Sequence, residues 1–256
     1  MCTEFECQNI CKIYRLRDEE VPALQDVNFT VAEEEFICIV GPSGCGKTTL
    51  LKILAGLSEP SSGRIFSGLA PSDGRLHSAM VFQEHGLLPW LTALDNVAFG
   101  LEMQGVKRQD RRERARAFIE QIGLTAFVNN YPHQLSTGMR QRVGIARAFV
   151  TDPKVLLMDE PFSSLDAQTK LIFQEELLRI WKHHKKTVIY VTHDIEEAIL
   201  LGDRVLVMTG HPGSIREEIR IPLDRPRNSI IIQNTEVMEI KWHIWKIIED
   251  EVRRNL

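Results

Sequence analysis

The sequence predicts an α/β fold with a largely parallel sheet, because short apolar segments alternate along it with stretches of helical periodicity. The apolar segments are too short for helices and rich in β-branched residues, as expected of strands buried on both faces. They are FICIV (36–40), VLLMD (155–159), TVIYVT (187–192) and RVLVM (204–208). The helical stretches cover residues 47–56, 108–122, 139–150, 167–184 and 195–201. Such an alternation is typical of parallel sheets.

Size and composition indicate a globular chain without affinity for polyanions. It has 256 residues, of which 43% are hydrophobic and 26% charged, and a net charge of -4. This acidic balance disfavours nucleic acid as a partner. No apolar run approaches the roughly 18 residues of a membrane span, and MCTEFECQNI lacks the pattern of a signal peptide. We therefore expect a cytosolic chain.

The first expected element is a strand over EFECQNICKIY, which contains two of the five cysteines. The cysteines are Cys2, Cys7, Cys11, Cys38 and Cys45. In a strand, Cys7 and Cys11 are about 13 Å apart, too far to share one zinc ion. A zinc site is therefore rejected here, and free thiols are expected, since a chain of this length does not need disulfides.

A phosphate-binding loop follows the first buried strand. GPSGCGKTT matches the pattern GxxxxGK[ST] between a strand and a helix, the context that this motif requires. The glycines let backbone amides close around a polyphosphate, Lys47 would bridge the terminal phosphates, and Thr48 would ligate Mg²⁺. A glycine-rich turn with a coincidental lysine is the alternative. The predicted contacts are Gly41, Pro42, Ser43, Gly44, Cys45, Gly46, Lys47, Thr48 and Thr49.

A polar residue and an apolar segment follow the short run AMVF. Gln83 could supply an amide oxygen to a magnesium shell, although a single glutamine is a weak signal. The next segment, GLLPW, places Leu87, Leu88, Pro89 and Trp90 beside it. These side chains either form an apolar patch for a partner or pack into the core of their own subdomain. The sequence leaves both alternatives open.

Residues from about 90 to 150 contain helices without a convincing strand, so a helical subdomain inserted beside the sheet is expected. Within it, the basic stretch KRQDRRERAR could attract a phosphate-rich partner. However, Ala115, Phe118, Ile119 and Ile122 supply the apolar stripe of an ordinary helix. The charges are then interpreted as the solvated face of that helix.

Two later strands deliver polar side chains to one edge of the predicted sheet. VLLMD ends in Asp159 and is followed by Glu160, and TVIYVT is followed by His193 and Asp194. Ligands of open parallel sheets bind beyond the carboxyl ends of the strands. Asp159 would hold magnesium, Glu160 would orient or deprotonate the attacking water, and His193 could hydrogen-bond the γ-phosphate or that water. A solvated turn and a structural histidine are the alternatives.

The tail from residue 234 to 256 is predicted to form an amphipathic helix that Asn234 or Thr235 caps. Its apolar face would be lined by Ile240, Ile244, Ile247, Ile248 and Val252. Packing of this face on its own domain is favoured over contact with a membrane.

Several motifs occur together in one order: GPSGCGKT, VFQ, LSTGMRQR, VLLMDEP, SSLDAQ and VTHD. This set closely resembles the ATP-binding subunits of ABC (ATP-binding cassette) transporters from Tyr14 to about Arg227. The resemblance implies a P-loop NTPase fold with N-terminal antiparallel strands beside the parallel sheet and an inserted helical subdomain. It also implies an ATP-binding domain over residues 1–227, with a C-terminal extension over 228–256. Tyr14 matches the aromatic residue that stacks on adenine.

Other positions acquire roles by the same resemblance. Gln83 matches the glutamine that links magnesium to the membrane subunit, and Asp159 matches the magnesium aspartate. Glu160 matches the catalytic glutamate, Asp166 the residue that crosses the dimer, and His193 the switch histidine. The resemblance implies that two chains sandwich two ATP molecules.

The signature segment LSTGM departs from the family pattern LSGG. Ser136 can cap the next helix, whose first amides point at an anion. In the family this segment grips the γ-phosphate of ATP held by the other subunit, a role assigned here to Ser136, Thr137, Gly138 and Met139. Thr137 replaces a glycine. If the position requires positive φ, threonine is strained by about 1–2 kcal/mol; if φ is ordinary, its hydroxyl could add a phosphate contact.

These features predict the ATPase of a bacterial-type importer that uses ATP and Mg²⁺ at the cytoplasmic face of the membrane. GLLPW and HPGSIREEIRIPLDRPR resemble importers of nitrate, sulfonate and taurine. The expected partners are permease subunits, a second ATP-binding subunit in a homodimer and, indirectly, an extracytoplasmic solute-binding protein. The rival is a soluble cassette protein that acts on nucleic acid or in assembly, which the acidic balance and single cassette disfavour.

Overall fold

The computed structural model describes residues 3–16, 19–67, 78–83, 86–228 and 234–254. The strands are β1 (Thr3–Leu16), β2 (Glu19–Ala32), β3 (Phe36–Val40), β4 (Ser62–Ser67), β5 (Ser78–Val81), β6 (Val155–Asp159), β7 (Thr187–Val191), β8 (Arg204–Met208) and β9 (Ile215–Arg220). The helices are α1 (Lys47–Leu54), α2 (Ala93–Met103), α3 (Arg108–Gln121), α4 (Thr137–Val150), α5 (Ala167–His184), α6 (Ile195–Leu201) and α7 (Thr235–Arg254). The chain divides into two compact units, one formed by Met1–Ala70 with Leu177–Leu256 and the other by Pro71–Glu176.

The first unit contains an antiparallel sheet and a mainly parallel one. The antiparallel strands that the family resemblance implied are present, in the order β2-β1-β4. In the other, β3 pairs in parallel with β7 and β8, while β9 runs antiparallel along β8. Every residue of β3 and β7 is buried. Burial on both faces explains why these strands appear in the sequence as unbroken apolar runs.

The register of the parallel strands brings two predicted site segments to one edge. Ile39 of β3 lies beside Val191 of β7, and the N–H of Thr192 donates to the carbonyl oxygen of Ile39 at 3.1 Å. The phosphate loop follows β3, and His193 follows Thr192. The sequence-based prediction that both follow the carboxyl ends of buried strands is therefore confirmed within this unit.

The second unit contains the parallel pair β5 and β6 together with α2, α3 and α4. α2 packs against both α3 and α4, and it buries Leu94, Val97 and Leu101. On α3, Ala115 and Ile119 are buried as the predicted stripe requires. The helical content expected between about 90 and 150 is present, whereas the domain boundary near residue 227 stays a prediction.

The terminal helix α7 forms as predicted, but its buried face differs. Asn234 caps it through its side chain, which accepts from the N–H of Glu236 at 3.1 Å. The buried residues are Val237, Ile244 and Glu251, whereas Val252 is 41% exposed. Three positions spaced by seven lie on one narrow face of a helix, so a single stripe suffices to attach it. Among the described residues, no helix is long and apolar enough to cross a bilayer.

The thiols of the described residues are free, as expected. They belong to Cys7, Cys11, Cys38 and Cys45, and all but Cys11 are buried. Cys2 lies outside the described residues. Burial and the neighbouring Glu6 raise the pKa of Cys7 to about 12, which keeps this thiol protonated at neutral pH.

Candidate nucleotide-binding and catalytic site

The predicted phosphate loop connects β3 to α1. Gly44 and Gly46 have φ values of 78° and 95°, in the left-handed region that favours glycine. A Cβ on Gly46 would lie 2.8 Å from the carbonyl oxygen of Ala23, so the loop reaches β2 only with glycine at this position. A loop of this kind that leads into a helix N-terminus presents backbone N–H groups to an anion.

Lys47 places its ammonium group against this loop. The residue is 6% exposed, and its Nζ donates to the carbonyl oxygens of Gly41 and Pro42, each at 2.8 Å. Carbonyl oxygens satisfy the hydrogen-bond donors without neutralising the charge, so this position favours an anion nearby. Thr48, the predicted magnesium ligand, is the next residue and is exposed.

Cys45 is a residue of this loop and is buried, with 1% of its surface exposed. Its Sγ is 3.7 Å from Nζ of Lys47. Burial raises the pKa of Cys45, and the positive charge of Lys47 offsets this only in part. The thiol is therefore protonated and shielded at neutral pH.

We expect alkylation of Cys45 to be slow, to block nucleotide binding by bulk, and to be prevented by bound nucleotide. Only the thiolate reacts, and the pKa of Cys45 is raised. The alkylation rate of Cys45 should therefore still increase with pH at values where the alkylation rate of an exposed thiol has reached its plateau. Mass spectrometry after timed maleimide treatment measures this rate, with the half-buried Cys11 as the internal comparison. Unchanged nucleotide affinity after complete modification of Cys45 would contradict the expected block.

Tyr14 lies next to the start of α1. Its hydroxyl is 3.5 Å from Oγ1 of Thr49, and the residue is 38% exposed. Nζ of Lys12 lies 5.2 Å from the centre of its ring. The structure thus brings the predicted adenine-stacking residue and the phosphate-binding segment together in one unit, with room for a base to approach the ring.

His193 is exposed in the turn between β7 and α6, and a buried carboxylate stabilises that turn. Glu197 is 3% exposed and accepts hydrogen bonds from the hydroxyls of Tyr190, at 2.8 Å, and Thr192. The Thr192 hydroxyl in turn accepts from the N–H of Asp194 at 3.0 Å. Burial, and then the Glu197 carboxylate, raise the pKa of Tyr190 well above its ordinary value. No pattern in the sequence indicated this role of Glu197.

In the second unit, Glu160 is linked to Gln83. Asp159, at the end of β6, is 5% exposed. The carbonyl oxygen of Glu160 accepts from the N–H and Oγ of Ser163 at 3.2 and 2.9 Å, and Nε2 of Gln83 lies 3.4 Å from the same Oγ. Glu160 has a φ of 44°. A residue other than glycine adopts this left-handed conformation at a cost of about 1–3 kcal/mol, and residues with such backbone strain are concentrated at active sites.

The signature segment forms the start of α4. Ser136 is the N-cap, and its hydroxyl accepts from the N–H of Met139 at 3.3 Å. Thr137 is the first helical residue, so the alternative that this position requires positive φ is wrong. Its hydroxyl accepts from Nη2 of Arg140 at 3.1 Å. Threonine is therefore accommodated without backbone strain.

Gly138, in contrast, is required by packing. A Cβ there would lie 2.9 Å from Cζ of Phe173, a distance shorter than real Cβ contacts. The ring of Phe173 is held in turn by the guanidinium of Arg142, whose Cζ is 4.5 Å from the ring centre, and by Phe162. Of the two positions where the family has glycine, only the second needs it here.

We expect Thr137→Gly to leave ATP-dependent dimerisation unchanged and to destabilise α4 by up to about 1 kcal/mol, because glycine loses more backbone entropy in a helix. The measurement is light scattering with ATP in the Glu160→Gln background. Gly138→Ala is the contrasting variant and should dimerise less. Easier dimerisation of the Thr137→Gly protein would mean that Thr137 weakens the signature.

Asp166 precedes α5 and caps it. Its carboxylate accepts from the N–H of Thr169 at 3.0 Å, and hydrogen bonds from Thr169 lower the pKa of Asp166. The side chain is exposed, so its assignment to a dimer contact stays a prediction.

The segment GLLPW, after Gln83, is partly packed into its own unit and partly exposed. Leu87 and Leu88 are half-buried, whereas Pro89 is exposed and Trp90 is 69% exposed. The buried side chain of Asn96 bonds both the N–H and the carbonyl oxygen of Leu88, at 2.8 and 3.0 Å. The leucines therefore attach the segment to its own unit, and the tryptophan is left on the surface.

The same segment is attached to α4. Nη1 of Arg147 donates to the carbonyl oxygen of Gly86 at 2.7 Å. Burial lowers the pKa of Arg147. Because Ser136 and Arg147 belong to one helix, the signature and the exposed Trp90 are joined by a direct structural connection within this unit.

Gly213 is a site residue that the sequence did not reveal. A Cβ there would lie 1.9 Å from the carbonyl oxygen of Cys45. Its N–H donates to the carbonyl oxygen of Ala23 at 3.0 Å, and its own carbonyl accepts from Gln25 at 2.9 Å. Gly213 therefore packs directly against the backbone of the phosphate loop. Only its position after a histidine and a proline, which indicates a turn, could have drawn attention to it.

The chemistry of the predicted magnesium ligands fits a magnesium ion. Thr48, Gln83 and Asp159 offer hydroxyl, amide and carboxylate oxygens, the donors that this hard cation takes. Within the described ranges, no three His, Cys, Asp or Glu side chains form a group that could hold a metal by themselves.

Comparisons with known proteins show which family the chain resembles. The profile of the family described as ABC transporter matches residues 24–163. An uncharacterized ABC transporter ATP-binding protein of Methanocaldococcus jannaschii is 46% identical over 257 residues, which cover 100% of this chain and 95% of that protein. The bicarbonate transport ATP-binding protein of Synechocystis sp. is 44% identical over 228 residues, or 86% of this chain and 80% of that protein. The taurine import ATP-binding protein of Yersinia pestis is 45% identical over 201 residues, or 78% and 79%.

A solved structure supports the same fold. It is a dimeric post-hydrolysis state of an ATP-binding cassette bound to ADP and phosphate. It is 32% identical, with a TM-score of 0.75, and the match covers 86% of this chain and 100% of that one. The predicted fold class, a mostly parallel sheet with antiparallel strands and helices in the P-loop cassette arrangement, is thereby confirmed.

Proposed function

Because the chain belongs to the ABC transporter family, as an ATP-binding subunit and an ATPase, we propose that it energises import of a small anion through a partner permease. The observation that supports an anion is the identity of 44–45% to bicarbonate and taurine transport subunits. The solute then belongs to the class of small anions and sulfonates that includes nitrate, bicarbonate and taurine, a zwitterion recognised here by its anionic sulfonate group. The chain acts peripherally at the cytoplasmic face of the membrane.

ATP binds at the loop between β3 and α1. Lys47 and the backbone amides hold its phosphates, and Tyr14 stacks on its adenine. Glu160 accepts the proton of the attacking water, while His193 hydrogen-bonds that water or the γ-phosphate. When bound, Mg²⁺ offsets the charge that develops on the phosphates.

Two copies of the chain hold two ATP molecules between them. The N-terminus of α4, from Ser136 to Met139, faces the γ-phosphate of the ATP bound by the other copy, where the helix dipole favours negative charge. Asp166 reaches across the same interface. The dimeric solved structure, which contains ADP and phosphate, supports this arrangement.

The permease contacts the segment from Leu87 to Trp90. The exposed indole is an anchor of the kind enriched at protein interfaces, and Asn96 and Arg147 hold its segment in place. Through Arg147, closure at the signature end of α4 is transmitted to this contact.

Co-purification tests this function. The tagged chain, extracted from its native cells with mild detergent, should carry an integral membrane protein, and Trp90→Ala should lose it. Met103→Ala, at another apolar position that is 64% exposed, is the control and should retain it. A purely soluble chain that carries nucleic acid would support the rival soluble cassette and refute transport.

The substrate class is tested on the same complex. ATP hydrolysis by the purified complex with its solute-binding protein is measured in the presence of bicarbonate, nitrate, taurine or an uncharged sugar. We expect stimulation by one of the anions alone. Stimulation by the sugar and by none of the anions would refute anion import while leaving the ATPase assignment in place.

A further inference from the structure

The terminal helix α7 carries a buried acid near its end. Glu251 is 7% exposed, and its Oε1 accepts from Nη1 of Arg254 at 3.0 Å. Its other carboxylate oxygen, Oε2, accepts from the backbone N–H of Gly210 at 3.3 Å. A carboxylate is rarely buried unless it is hydrogen-bonded, so an acid at this position indicates a specific contact. Of these two hydrogen bonds, the one to Gly210 reaches beyond α7.

Gly210 belongs to the turn of residues 209–214, which connects β8 to β9. The N–H of Thr209 donates to the carbonyl oxygen of Ser214 at 2.9 Å. The hydroxyl of Thr209 accepts from the N–H of Ser214 at 2.8 Å. Because these two bonds close the turn at its ends, a contact that holds Gly210 also restrains Gly213.

The other side of the same turn packs against the phosphate loop. Gly213 approaches Cys45 so closely that a Cβ on it would lie 1.9 Å from the carbonyl oxygen of Cys45. Its N–H donates to the carbonyl oxygen of Ala23 at 3.0 Å. Gly46 approaches the same carbonyl oxygen, to which an added Cβ would be 2.8 Å. The turn, β2 and the phosphate loop therefore contact one another directly, within one unit of the chain.

We propose that Glu251 is a positioning residue for nucleotide binding at the phosphate loop. By holding Gly210, it keeps the turn in the place where Gly213 packs on the backbone of Cys45. A loop that is already ordered binds phosphate more tightly, because the cost of ordering its N–H groups is not incurred on binding. The inference rests on the proposed binding of ATP at this loop, and it gives α7 a role in nucleotide affinity.

α7 and the phosphate loop are coupled in both directions. If the attachment of α7 raises the affinity for nucleotide, bound nucleotide stabilises that attachment by the same free energy. Glu251 lies in the last turns of α7, so nucleotide should slow local opening there and in the turn of residues 209–214. The C-terminal helix therefore reports on occupancy of the loop.

Nucleotide titration of three variants tests the role of Glu251. Glu251→Met removes the acceptor and keeps the length of the side chain, so affinity for a fluorescent ATP analogue should fall at least about threefold. Glu251→Gln retains an acceptor oxygen and should bind within about twofold of the unmodified chain. Glu249→Met is the matched control, because Glu249 bonds Arg253 of its own helix at 2.6 Å and lies about 200° around the helix from Glu251.

Steady-state ATP hydrolysis separates positioning from a general loss of structure. Glu251→Met should raise KM and leave kcat within about twofold, because a less ordered loop binds substrate and transition state more weakly alike. Unaltered affinity of a folded Glu251→Met protein would overturn the proposal. An equal loss in Glu251→Gln or in Glu249→Met would overturn it too, since the loss would then not come from the acceptor for Gly210.

Amide hydrogen exchange of the unmodified chain tests the coupling without a substitution in α7. ADP with Mg²⁺ is the probe, because ADP lacks the γ-phosphate that the second copy would contact. Saturating ADP should slow exchange at least about threefold in peptides that cover residues 206–214 and 246–254, and leave peptides from α3 unchanged. Unchanged exchange in both peptides of a chain that binds ADP would overturn the role of Glu251 alone. ADP binding by Lys47→Ala protein, in contrast, would refute the proposed site at the loop.

Discussion

Glu160→Gln protein is expected to bind ATP and to hydrolyse it at least about 100-fold more slowly than the unmodified chain, because an amide cannot accept the proton of the attacking water. The glutamine has the same shape and can adopt the left-handed backbone that position 160 has, with a φ of 44°. The hydrogen bonds from Ser163 to the carbonyl of this residue do not depend on its side chain. The substitution should therefore lower the rate of the chemical step and leave the folding of the protein unchanged.

Phosphate release measures this loss, and light scattering with ATP should show a doubled mass as unhydrolysed ATP keeps two copies closed. Glu120→Gln, an exposed substitution of the same kind on α3, is the matched control and should hydrolyse ATP normally. If Glu160→Gln kept more than a tenth of the activity, another group would be the base and the role given to Glu160 would be wrong.

Gly213→Ala is expected to weaken nucleotide binding about tenfold or more. The added methyl would lie 1.9 Å from the carbonyl oxygen of Cys45 and 2.8 Å from Cε of Met208. Backbone hydrogen bonds to Ala23 and Gln25 prevent Gly213 from moving away, so the phosphate loop has to shift. Overpacking of this kind costs roughly 1–3 kcal/mol, and each 1.4 kcal/mol corresponds to about tenfold in affinity.

Titration with a fluorescent ATP analogue measures the affinity, and circular dichroism verifies that the variant is folded. Gly105→Ala is the control, since Gly105 also occupies a special conformation, with a φ of 76°, but has no atom within 4 Å of an added Cβ. That variant should bind nucleotide normally. A folded Gly213→Ala protein with unaltered affinity for the nucleotide would show that the loop tolerates displacement, and this explanation would then be wrong.

The parts of the fold that the sequence predicted well depend on local pattern. β3, β6 and β8 agree residue for residue with the predicted apolar runs, because strands buried on both faces have no polar position to break the run. α4 begins two residues earlier than its periodicity suggested, since Ser136 supplies the cap. The motifs likewise located Lys47, at the start of the helix after β3, and Asp159, at the end of β6.

The parts that the sequence could not predict depend on contacts between distant segments. Glu197 is buried beneath the turn of His193, yet in the sequence it is one acid of a charged helix. Gly213 matters because it approaches Cys45, 168 positions earlier in the chain. Of the two alternatives left open at Thr137, the strained one was wrong for a related reason: whether φ is positive follows from where a helix begins, and the family pattern alone does not state it.

The attachment of Arg147 to Gly86 gives α4 the properties of a stiff lever. Arg147 lies eleven positions after Ser136, which is about 16 Å along a helix axis at 1.5 Å per residue. An unbroken helix hardly shortens or bends over that distance. A tilt of its first turn therefore moves Arg147, and Gly86 with it, at the same time and by a similar amount. In the proposed function, the two ends of α4 therefore move together, and no separate relay of side-chain rearrangements is needed between phosphate and Trp90.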